Sequence, residues 1–194
     1  LGMIAVVWMI STVFGNNTLG LGWSGGRIEH KLGALFETPH FRVHHGRRGT
    51  GPAVAEAIGR EAEYHRWVLN KDLQLDRTDE EPPKVDIWVF EGRDHLASLT
   101  GKRSPHAFIH RVNTPWAFAF DKTLRHELVH AYHWDLSPHP SLWLNRAVLE
   151  GSGEAWETGA VSSKWGHEDA AALLANGHLP PLRELLSLGG FWSL

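Results

Sequence analysis

Two histidines four residues apart, with a glutamate beside the first, give this 194-residue chain its clearest chemistry: His126-Glu127-Leu128-Val129-His130. On an α-helix, residues i and i+4 share a face with their Cβ atoms about 6 Å apart, so both imidazoles can reach one cation. Glu127 projects to the adjacent side, where its carboxylate can act on a water that the cation acidifies rather than on the cation itself. Such a site needs a third protein ligand. Glu150 follows His130 after nineteen intervening residues, in Leu149-Glu150-Gly151-Ser152-Gly153-Glu154. An antiparallel return of a second helix would lay Glu150 beside the histidine pair. Glu154, one turn further along, would then accept a hydrogen bond from the free ring nitrogen of a ligand histidine. Gly151 and Gly153 each cost a helix about 1 kcal/mol relative to Ala, which fits close approach of two helices around a site better than simple packing. His139 is the rival third ligand, nine residues after His130 and directly before Pro140-Ser141-Leu142-Trp143.

Patterning locates the elements that must position these groups. Phe41–His45 has the composition of a strand, closed by the Gly46–Gly51 turn cluster. From Pro52 to Asp72 the apolar positions Val54, Ile58, Ala62 and Leu69, with Ala57, Tyr64 and Val68, keep helical spacing, leaving Glu61, Glu63 and Arg66 for solvent. Val85, Ile87 and Val89 alternate as a strand that Gly92 closes, and Asp94 starts a short helix before Gly101. His106–Val112 and Trp116–Phe120 read as two strands of a hairpin joined at Asn113-Thr114-Pro115. A helix over Asp121–Trp134 carries the histidine pair, and Ser137–Pro140 breaks it. Further helices are expected over Ser141–Thr158, Glu168–Ala175 and Pro181–Leu188. The sum predicts an α+β fold: a small mixed sheet with an edge strand in the first half, then a helical half carrying the H-E-x-x-H helix and the third-ligand helix. His44, His45, His106 and His110 read as polar surface; Trp88, Trp116, Trp143 and Trp156 have core spacing.

The run HELVHAYHW followed by SLWLNRAVLEGSGEAWE resembles the gluzincin zinc metallopeptidases, in particular their peptidase MA-like domains. Their pattern is H-E-x-x-H, about 18 or more residues, then E-G-x-x-E or E-x-x-x-D. The resemblance covers roughly residues 38–188. It implies Zn²⁺ as the cofactor, with His126, His130 and Glu150 as ligands, Glu127 as general base and Glu154 as the partner of a ligand imidazole. It also implies that His106, Ala107 and Phe108 form an edge strand to which an extended peptide or protein substrate adds by backbone hydrogen bonds. Family members usually read W-L-N-E-G, whereas here Arg146-Ala147-Val148-Leu149 stands between Trp143-Leu144-Asn145 and Glu150-Gly151. Tyr132 and His167 are the candidates for stabilising an oxyanion.

Composition narrows the classes. Hydrophobic residues at 42% and charged residues at 21% describe one globular domain. A net charge of −3 leaves no basic excess for phosphate neutralisation, so nucleic acid is not expected as a partner. With no Cys, disulfides, thiolate metal sites and thiol catalysis are excluded together. Residues 1–26 read as an apolar segment and linker, and 27–194 as the metallopeptidase-like domain. Leu1–Phe14 carries no charge; as a helix it would span about 21 Å, short of the ~30 Å hydrocarbon core. It is read as the end of a membrane anchor, with a buried helix as the alternative. The expected function is zinc-dependent peptide-bond hydrolysis by a membrane-associated, extracytoplasmic domain. The alternative is a catalytically silent accessory subunit of a larger membrane complex, against which the retention of Glu127 argues.

Overall fold

Strand-forming and helix-forming runs alternate along the chain, and the order of elements follows from them. The computed structural model describes residues 25–47, 51–73, 75, 83–108, 110–120, 122–136, 146–157, 172 and 175–177. In chain order these form α1 (Gly25–Leu32), β1 (Gly33–Glu37), β2 (Phe41–Gly46), α2 (Pro52–Leu73), β3 (Val85–Phe90) and α3 (Arg93–Thr100). They continue with β4 (His106–Phe108), β5 (Arg111–Pro115), a 3-10 turn (Trp116–Phe118), α4 (Lys122–Leu136) and α5 (Arg146–Glu157). The five strands make one mixed sheet in the order β1-β2-β3-β5-β4. β2, β3 and β5 run parallel, while β1 and β4 pair antiparallel at the two edges. The α+β class holds, with the sheet in the first half and α4 and α5 following it.

The period of two in β3 splits its side chains between two apolar layers. Val85, Ile87 and Val89 join Phe41, Val43 and Val112 on one face, packed by Ala55, Ile58, Ala62 and Leu69 of α2 and by Leu124, Leu128, Val129 and Ala131 of α4. Trp88 and Phe90 face the other way, onto Ile28 and Leu32 of α1 and Leu96 and Leu99 of α3. Each fully buried side chain of this kind contributes about 1.5–3 kcal/mol, so α4 is anchored to the sheet along its whole inner stripe. On α2 the buried stripe runs 55, 58, 62, 65, 66, 69, and it includes His65 and Arg66 at 3% and 5% exposure. Arg66, expected in solvent, sits there because its position falls within the helical spacing of the stripe.

The hairpin differs from expectation. Phe108 pairs with Arg111, so the chain reverses between them, inside the segment read as a single strand. His110 makes the reversal in the left-handed region at φ 52°, where His is enriched several-fold among non-glycine residues. Asn113 and Thr114, read as turn residues, are buried in β5, because pairing with β3 outweighs their local preference. Trp116–Phe118 is then a 3-10 turn rather than a strand, and Trp116 is 44% exposed rather than core. Two histidines expected at the surface are not there: His45 is buried, and His44 bonds through Nε2 to Asp86 Oδ1 at 2.9 Å. Gly25 and Gly26, assigned to the linker, begin α1. The apolar run Leu1–Phe14 and the segments expected as helices over 141–145 and 181–188 lie outside the described residues. No helix among the described residues is long and apolar enough to cross a membrane.

Candidate metal centre

Because Leu124, Leu128 and Val129 turn toward the sheet, α4 presents His126 and His130 on the side that packs against α5. The two rings meet edge to face, with centroids 4.7 Å apart and planes at 79°. Their Nε2 atoms are 3.0 Å apart. α5 brings Oε2 of Glu150 to 3.6 Å from each of these nitrogens. The imidazoles keep only 12% and 15% of their exposure while Glu150 keeps 40%, so solvent reaches the group mainly beside the carboxylate.

Donor spacing can be tested against bond lengths. Ligands of a tetrahedral cation bonded at about 2.1 Å stand about 3.4 Å apart. The observed separations of 3.0, 3.6 and 3.6 Å straddle that value. His126, His130 and Glu150 thus form a group that could hold a metal ion, and among the described residues it is the one such group. Two imidazole nitrogens with one carboxylate oxygen suit a borderline transition metal, whereas Ca²⁺ and Mg²⁺ favour shells of oxygen. Without a cation, two Nε2 atoms at 3.0 Å fit only if one carries a hydrogen that the other accepts.

The remaining expected residues are placed as follows. Glu127 lies within α4 and is 7% exposed. Glu154, one turn beyond Glu150, faces solvent. Tyr132 is 2% exposed and belongs to the apolar core beneath α4. His106, Ala107 and Phe108 are β4, an edge strand of the sheet among the described residues, on the side where α4 packs. Ala107 leans on the core, and Phe108 is 55% exposed. His106 donates through Nδ1 to the Ser104 carbonyl at 3.0 Å. Burial and the Lys102 ammonium hold its pKa below the ordinary imidazole value, with the Ser104 bond partly offsetting them. His139 and His167 lie outside the described residues.

Two supports of the site have no counterpart in the sequence reading. His110 donates its N–H to the Ala131 carbonyl at 3.1 Å and accepts from the Asp86 N–H at 2.9 Å, tying the helix that bears the imidazoles to the centre of the sheet. Arg125, the residue before His126, donates through Nε to Nδ1 of His65 at 3.1 Å. The only legible signal for the second is that His65 falls at helical spacing between Ala62 and Leu69. Compared with known proteins, the chain matches no family model, no curated protein and no solved structure.

Proposed function

We propose that this chain is a zinc-dependent hydrolase of peptide bonds. The observation that carries the proposal is the meeting of His126 Nε2 and His130 Nε2, on the helix that also carries Glu127, with Glu150 Oε2 of α5, all within 3.6 Å of one another. Two imidazoles and one carboxylate are the protein donor set of open catalytic zinc sites, and three donors leave a fourth position. Zinc, when bound, supplies Lewis-acid polarisation of the scissile carbonyl and acidification of a water.

The chain's own groups do the rest. Glu127 takes a proton from the attacking water onto a carboxylate oxygen as the O–C bond forms, and delivers it to the amide nitrogen as the C–N bond breaks. An acid next to the first ligand favours catalysis over a purely structural metal site, which has no use for a base. β4, an edge strand among the described residues, would take an extended substrate by backbone hydrogen bonds. Attachment to a membrane is proposed through the uncharged run Leu1–Phe14.

Zinc-loaded protein is to be tested against a broad peptide library beside Glu127→Gln. Turnover by the parent that falls about 10²–10⁴-fold in Glu127→Gln, with metal content unchanged, is the expected result. Stoichiometric zinc with no turnover by either protein would replace the hydrolase with a silent accessory subunit.

A further inference from the structure

The helix carrying Glu150 has two glycines, and their surroundings differ. Gly151 points into open space: a Cβ built there meets nothing within 4 Å. Gly153 is buried, and a Cβ built there would stand 2.7 Å from Cε1 and Nε2 of His126 and 2.9 Å from its Nδ1. Such distances are too short for any real side chain. Three neighbouring ring atoms at nearly equal distances place that Cβ over the face of the ring, with Nε2, the atom facing His130 and Glu150, among the closest. His130 also stands against the ring, edge to face at 4.7 Å, which restricts its retreat. Gly153 is also three residues from Glu150, so the gap and the carboxylate share one face of α5.

From this we propose that Gly153 is a positioning residue: the absence of its side chain lets the His126 ring lie flat against α5 with Nε2 directed at the other two donors. A methyl group there would push Nε2 out of the position that 3.0 and 3.6 Å separations require. Gly153 acts through His126 and touches neither metal nor substrate. The proposal rests on His126 being a metal ligand, as in the function proposed above, but the contact itself exists without a metal.

The test compares Gly153→Ala with Gly151→Ala, each in the parent and in a His126→Ala background. In the parent, Gly153→Ala is expected to weaken Zn²⁺ binding about 10–100-fold in a chelator competition, and to change the visible absorption of the Co²⁺-loaded protein. Gly151→Ala is expected to leave both unchanged. In metal-free protein, Gly153→Ala is expected to lower Tm only while the His126 ring is present, and to raise it, as Ala favours helix, once His126→Ala has removed the ring. Unaltered zinc affinity and cobalt spectrum in Gly153→Ala would overturn the proposal. A loss of Tm that persists undiminished in the His126→Ala background would overturn it equally, since the clash would then lie elsewhere. A parent that takes up neither ion overturns the proposed function, while the metal-free comparison still decides the Gly153–His126 contact.

Discussion

Nε of Arg125 donates to Nδ1 of His65 across 3.1 Å, and Nε2 of His65 faces Oε1 of Glu61 at 3.2 Å. The residue preceding His126 is thereby joined to the long helix α2 on the same face of the sheet. For Nδ1 to accept, the ring must be neutral with its hydrogen on Nε2.

Acid should therefore loosen this join. Burial and the Arg125 guanidinium push the His65 pKa down to about 4, whereas the unfolded chain protonates it near 6.5. Between those values the unfolded state binds more protons, so stability falls as the pH falls. His65 is expected to account for about 3 kcal/mol of lost stability between pH 7 and pH 4, read from urea midpoints. His65→Gln, which can accept from Arg125 but cannot protonate, should flatten that slope. An identical slope in the variant would refute the assignment.

A second acid-sensitive join lies between β2 and β3. Asp86 receives Nε and Nη2 of Arg42 at 2.8 Å each and Nε2 of His44 at 2.9 Å. Burial alone would raise its pKa, but the His44 hydrogen bond and the Arg42 charge outweigh it and hold the carboxyl below the usual range. Its contribution is thus full above the unfolded value near 3.9 and lost as the pH falls through the folded one. Asp86→Asn is expected to cost about 1–2 kcal/mol at pH 7. The gap from the parent should close in acid; a gap that stayed constant from pH 7 to pH 2 would show that charge is not its origin.

Close packing of α2 on the β1–β2 connection gives a third prediction. A Cβ at Gly59 would stand 2.9 Å from Cγ2 of Thr38 and 3.0 Å from the Phe36 ring. Thr38 cannot move aside freely, because its hydroxyl accepts from the Phe41 N–H at 3.0 Å. Gly59→Ala gains about 1 kcal/mol of helix propensity and meets an overpacking cost of about 1–3 kcal/mol. A lowered Tm is expected, and an increase would mean the connection yields.

Metal binding itself should be visible as stability. Free Zn²⁺ at a hundred times its Kd adds about 2.7 kcal/mol to a folded protein that binds it at one site. His126→Ala, His130→Ala and Glu150→Ala are each expected to abolish this increment, and a chelator to reverse it in the parent. An increment that survives Glu150→Ala would remove that residue from the donor set.

Much of this was open to reading in the chain. The spacing of His126 and His130 fixes that they share a face, because 3.6 residues per turn is a local property. The alternation in Val85–Phe90 likewise fixes a strand with two faces. Local rules failed where long-range pairing overrode them. Asn113, Thr114 and Pro115 have turn composition, yet β3 recruits them into the sheet, and the reversal falls on His110 instead. Arg66 looks like a solvent residue by its charge, yet it lies in the buried stripe of α2.

By itself, then, the order of residues determined which side chains could ligate and which helix would carry two of them, since both follow from contacts along one turn. Only the tertiary structure decided that Oε2 of Glu150 lies 3.6 Å from both nitrogens, and that Gly153 rather than Gly151 lies against the ligand ring. Those facts depend on the rotation and crossing of α5 on α4, which are set by the summed packing of residues far apart in the chain.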